Sequence, residues 1–151
     1  MAKIERFEDL ECWKSALELT RVIYQHSNKG RFARDFGLRD QMRRAAVSVL
    51  SNIAEGFESH TRPLFIEYLS RAKASCGEFR AQCYVAFDAG YIEQADFVQI
   101  CALAEKCSRQ ISNFINYLKQ DTRYKVSEPK EPYELYEPSE LYKPSEADQE
   151  N

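Results

Sequence analysis

Long apolar runs are missing from this 151-residue chain. None approaches the roughly 18 residues that a membrane-spanning helix needs. The opening residues Met1-Ala2-Lys3-Ile4-Glu5-Arg6 lack the apolar stretch of a secretory leader, so the expected location is cytoplasmic. Histidine is scarce: neither His26 nor His60 follows a Glu by three residues, as a di-iron bundle would require. The five cysteines (Cys12, Cys76, Cys83, Cys101 and Cys107) are odd in number and form no C-x-x-C pair. That speaks against a disulfide framework or a zinc knuckle, and no metal or cofactor is expected. Walker loops, dinucleotide fingerprints and nucleophile-elbow serines are also absent. Asp35-Phe36-Gly37 matches a kinase triplet by letters alone, with no glycine-rich or catalytic loop beside it. The chain is therefore not expected to be an enzyme.

A dominant charge of one sign is missing too. Residues 1–120 hold 17 Lys and Arg against 15 Asp and Glu, and residues 121–151 hold 4 against 9. A near-neutral body lacks the lopsided basic charge of a dedicated nucleic-acid binder, so any such contact must come from a local patch.

What the chain does have is helical periodicity. Leu10, Trp13, Leu17, Thr20 and Tyr24 recur in steps of three and four, predicting a helix over about 8–27 with this stripe as its core side. Asn28-Lys29-Gly30 breaks it. Leu38, Met42, Ala45, Val49 and Ile53 mark the core of a second helix over about 38–59. Thr61 is placed to cap a third helix, with Pro63 in its first turn. Phe65, Leu69, Ala72, Cys76, Phe79, Cys83 and Phe87 give that helix, about 63–89, an unbroken bundle seam. Gly90 ends it as a left-handed cap. Asp96 is the expected cap of a fourth helix, about 96–120, whose stripe runs from Phe97 to Leu118. Nothing alternates with the period of a strand. The fold class is all-α: an antiparallel up-and-down four-helix bundle in a domain spanning 1–120.

Beyond 120 the composition turns to Pro, Glu, Ser, Lys and Tyr, with the near repeat Glu134-Leu135-Tyr136-Glu137-Pro138-Ser139 and Glu140-Leu141-Tyr142-Lys143-Pro144-Ser145. Such a segment buries too little apolar surface to offset ordering, and predicts an acidic disordered tail over 121–151. Its Leu-Tyr pairs leave open a docking motif for a protein partner.

The apolar arc of helix 2 is wider than one core uses. Ala46, Val47, Leu50, Ala54 and Phe57 form a second stripe, and helix 1 carries Cys12, Leu19 and Ile23 away from its Trp13 side. Two explanations remain: helix 2 is wedged deeply, or Ala46, Leu50, Ala54 and Phe57 meet another copy of the chain. On the polar side, Arg44 and Glu78 are expected to pair across helices, with Asn52 hydrogen-bonded nearby. Lys29, Arg31, Arg34, Arg39, Arg43 and Arg44 form a basic run, interleaved by Phe32 and Phe36. It suits phosphate contacts with bases stacked on the rings, or a solvated loop whose rings plug the bundle's end.

The run from Phe36-Gly37-Leu38-Arg39-Asp40-Gln41-Met42-Arg43-Arg44 through Ser48, Asn52 and Ala54-Glu55-Gly56 closely resembles the bacterial four-helix bundles encoded in 23S rRNA intervening sequences, also called the S23 ribosomal protein family. The resemblance extends through Phe7-Glu8-Asp9-Leu10, Trp13, Phe65, Leu69, Ala72, Glu78 and Gly90-Tyr91-Ile92, covering about 7–120. One departure is Leu50, where the family pattern commonly has Pro; helix 2 is expected to be straighter for it. The resemblance implies a ring, a homopentamer, and a distant similarity to retroelement accessory proteins that bind RNA and a reverse transcriptase. Its motif falls on Arg43, Arg44, Ser48, Asn52, Glu55, Gly56 and Glu78, without separating structural from functional roles.

These features lead to a non-enzymatic homo-oligomeric bundle that binds RNA, ribosomal RNA in particular, through the basic 29–44 region. The alternative is a protein-interaction scaffold displaying several acidic tails and no nucleic-acid site.

Overall fold

The computed structural model describes residues 3–120; the expected tail lies outside them. A 3-10 turn at Phe7–Asp9 leads into α1 (Glu11–His26), a second at Phe32–Arg34 into α2 (Phe36–Glu58), and α3 (Arg62–Asp88) and α4 (Gln94–Gln120) follow. Consecutive helices pack on one another and α4 returns to α1, the ring of neighbours of an up-and-down four-helix bundle. No described helix is long and apolar enough to cross a membrane.

Local chemistry sets the ends. Asp35 accepts a hydrogen bond from the Leu38 amide at 3.1 Å and caps α2; Thr61 does the same for α3 through the Leu64 amide, with Pro63 in the first turn. Such caps contribute about 1 kcal/mol each. At the end of α3, Gly90 takes φ +75°, and the amides of Gly90 and Tyr91 donate to the carbonyls of Phe87 and Ala86. This is a Schellman closure, which needs a residue without a Cβ penalty. Helix α4 starts at Gln94, two residues earlier than expected. Asp96 sits inside its first turn, where a carboxylate complements the helix dipole rather than capping it.

Two stacked clusters fill the interior. One gathers Leu10, Cys12, Ala16, Val49, Ile53, Leu69, Cys76, Cys107 and Ile111. The other gathers Leu19, Ile23, Phe32, Met42, Ala46, Phe79, Cys83 and Ala104. Helix α1 therefore faces inward by the stripe adjacent to the expected one, of which only Leu10 is buried. Cys12, Ser15, Ala16, Leu19 and Ile23 are its buried residues, while Tyr24 is 45% exposed. The expectation for Ala46 is corrected with it: this residue is fully buried in the chain's own core and is unavailable to a second copy. Trp13 and Leu17 lie half-buried on the flank.

The five cysteines are free thiols. Burial pushes the Cys12 thiol up to about 11 and raises Cys83 as well. Contact with Cys76, together with burial, raises Cys107, whose Sγ lies 3.6 Å from the Cys12 carbonyl. Thiols held neutral in this way behave as small apolar core groups.

Candidate functional site

The basic residues gather at one end of the bundle, where α1 hands over to α2 and α3 turns into α4. Gly30, at φ +55°, carries the chain out of α1, and Phe32, only 1% exposed, plugs the space beneath. Phe32 stacks on Tyr91 with centroids 5.3 Å apart, and the Tyr91 hydroxyl donates to Asp35 at 2.9 Å. That bond to a carboxylate raises the phenol's pKa. Asp35 thus caps α2 and ties it to the turn after α3. It was missed in the sequence, although an Asp three residues before Leu38 at a helix start is the ordinary cap signature.

The six cations predicted as one patch divide into two groups. Arg31 donates to the Ala89 carbonyl at 3.2 Å and lies over the Tyr91 ring at 5.5 Å. Arg39 donates to the Ala33 carbonyl at 3.0 Å and to Asp40 at 2.9 Å, and lies over Phe36 at 4.8 Å. Arg43 donates from Nε to the buried Ser27 hydroxyl at 2.8 Å and lies over Tyr24 at 4.5 Å. These three fasten loops while keeping their charge at the surface. Lys29, Arg34 and Arg44 are exposed, and their side chains make no hydrogen bond or ion pair among the described residues. Arg44 instead borders a shallow cavity of about 390 Å³ with Tyr24, Asp40, Arg43 and Val47.

The remaining motif positions divide in the same way. Ser48 and Ser75 hydroxyls share a 2.9 Å hydrogen bond between α2 and α3, and Asn52 donates back to the Ser48 carbonyl and hydroxyl. Gly56 is buried, and a Cβ there would lie 2.8 Å from the Cβ of Tyr68. Ser48, Asn52 and Gly56 are therefore packing residues of the α2–α3 seam. The expected Arg44–Glu78 pair does not form. Glu78 instead accepts from Gln82 one turn along its own helix, and Arg44 points to the side shared with α1. Glu55 is exposed and unpaired among the described residues.

The predicted oligomer residues Leu50, Ala54 and Phe57 are half-buried, with Leu50 and Phe57 packed on the core's margin. Val47, one turn earlier, lies beside Tyr24 of α1, whereas the Phe57 ring meets Phe65 of α3 edge-on at 6.1 Å. Among the described residues no group of His, Cys, Asp or Glu is arranged to hold a metal ion.

No curated protein matches this chain. A crystal structure from Bacteroides thetaiotaomicron, of a protein of unknown function from the S23 ribosomal protein family, aligns with TM-score 0.64 over 70% of this chain and 95% of that one. At 19% identity the likeness is one of fold. The family model for the 23S rRNA-intervening sequence protein matches residues 8–113, and with the Arg43-Arg44 to Glu55-Gly56 run in place on α2, the chain belongs to that family.

Proposed function

We propose that the chain is a non-enzymatic, homo-oligomeric cytoplasmic bundle that binds RNA, ribosomal RNA in particular, through the end where α1 meets α2. The observation that carries this reading is the concentration there of Lys29, Arg34 and Arg44, all without partners among the described residues, beside three guanidiniums held in place by Ala89, Ala33 and Ser27. Unpaired surface cations near fixed ones suit a phosphate backbone, because their release of counterions is a net gain.

The test is binding to single-stranded and structured RNA across a salt series, with Lys29, Arg34 and Arg44 changed together to Ala. Their side chains carry no hydrogen bond or ion pair among the described residues, so the fold is expected to survive. The wild-type chain is expected to bind in a salt-dependent way, and the triple variant to flatten the log–log slope by about 2, at roughly 0.7 per phosphate contact on a single strand. Absence of binding at low salt would overturn the reading in favour of a tail-displaying protein scaffold.

Self-association is supported by apolar surface on two opposite sides. Between α1 and α2, exposed Tyr24 and Val47 line one shallow cavity, and Trp13, Leu17, Leu50 and Ala54 of these two helices are half-buried. Between α3 and α4, Tyr84 and Val98 are both more than half exposed, with Tyr84 edge-on to Phe97 at 5.1 Å. Unlike faces on opposite sides suit a head-to-tail contact, which closes into a ring when the rotation permits. Family kinship favours five members. Light scattering is expected to give a mass well above the 17.6 kDa of one chain, and Val47→Glu to shift it towards that value. A wild-type mass of one chain would remove the oligomer.

A further inference from the structure

Phe36 is the first residue of α2 and is 63% exposed, the largest exposure of any large apolar residue among the described residues. Neither helix formation nor packing explains it. The cap of α2 is supplied by Asp35, and the plug at this end of the bundle is Phe32. One face of the Phe36 ring is covered: the Arg39 guanidinium lies 4.8 Å from its centroid, held there by the Ala33 carbonyl and Asp40. The exposure leaves the rest of the ring in solvent. Its backbone is held in the first turn of a 23-residue helix and not in a free loop. Arg34, two residues before it, has no partner among the described residues.

We infer that Phe36 is a stacking platform for an unpaired base of single-stranded RNA, with Arg39 closing the back of the ring and Arg34 meeting the adjoining phosphate. This rests on the RNA-binding reading above and narrows it to a class of RNA. A base inside a duplex is stacked on both sides and offers no free face, whereas every unpaired base carries one. Purines present the larger face and bind better than pyrimidines.

The experiment compares wild type and Phe36→Leu on three probes: an oligoadenylate and an oligouridylate of about 12 nucleotides, a usual site size, and a fully paired RNA duplex with as many phosphates. Leu keeps the apolar volume and removes the aromatic face, at an exposed position where the fold has little to lose. Wild type is expected to prefer oligoadenylate to the duplex. Phe36→Leu is expected to lose about 30-fold on oligoadenylate, the middle of the range for one stacked base, and to leave duplex binding unchanged. Unchanged oligoadenylate binding by Phe36→Leu overturns the platform. The basic-end reading survives that result if the Lys29/Arg34/Arg44 variant still weakens every probe. Wild type that binds none of the three overturns both.

Discussion

Phe79→Ala is expected to lower the stability of the bundle by about 3–5 kcal/mol, the cost of deleting a large aromatic from a packed interior. Phe79 is fully buried at the centre of the cluster that joins Leu19 and Ile23 of α1, Met42 and Ala46 of α2 and Ala104 of α4. All four helices meet around that ring, so no single one can shift to refill the space. Against a total of about 5–15 kcal/mol for an ordinary domain, the loss is a large share. Urea denaturation followed by circular dichroism would show a lower midpoint with an unchanged slope. A loss below about 1 kcal/mol would mean that the site collapses freely, contrary to the packing described.

Gly56→Ala is the second large effect, and its sign runs against helix propensity. Taken alone, Ala in place of a Gly in the last turn of α2 (Phe36–Glu58) would favour the helix by up to about 1 kcal/mol. Here the added Cβ would stand 2.7 Å from the Phe65 ring and 2.8 Å from the Tyr68 Cβ. The ring can turn aside, but a Cβ moves only with its backbone, so α2 and α3 must separate. Overpacking of this kind costs about 1–3 kcal/mol, and a net loss is expected. At about 4 °C per kcal/mol, between the values for smaller and larger domains, the fall is readable in a thermal melt. Gly56→Val is expected to be worse, and an Ala variant as stable as wild type would show that the seam yields.

The legibility of the fold in the sequence varied by helix. Helix α3 was plain, because Leu69, Ala72, Cys76, Phe79 and Cys83 form one stripe with no rival. Helix α1 carried two stripes of similar spacing. The bulkier one, with Trp13, Leu17 and Tyr24, looked like the core, yet the interior took the side with Cys12, Ser15 and Ala16. A one-dimensional pattern records apolar period but not how closely a neighbour approaches, and close approach is what small residues permit.

In the candidate site, the basic run was legible as a concentration of charge, whereas the division between fastening and free cations was not. Whether Arg43 is spent depends on Ser27, sixteen residues away, and whether Arg31 is spent depends on the Ala89 carbonyl, 58 residues away. The two phenylalanines were likewise indistinguishable until the 3-10 turn at Phe32–Arg34 sent one ring inward and left the other at the helix start. Arg44 and Glu78 both flank the α2–α3 seam in sequence, but a side chain one helical step off the seam points elsewhere.

The segment between α1 and α2 is stitched down at several points: Phe32 beneath it, Arg31 to the turn after α3, Asp35 to Tyr91, and Arg43 to Ser27. A surface made this way is already in its final shape before any partner arrives. The ordering cost of association, about 0.5–1.5 kcal/mol for each side chain that must be immobilised, is therefore already met at Arg31, Arg39 and Arg43 and remains only for Lys29, Arg34, Arg44 and the partner. Strands that are already unpaired and pliant would adapt to this end most cheaply, and stiff ones would meet it on its own terms.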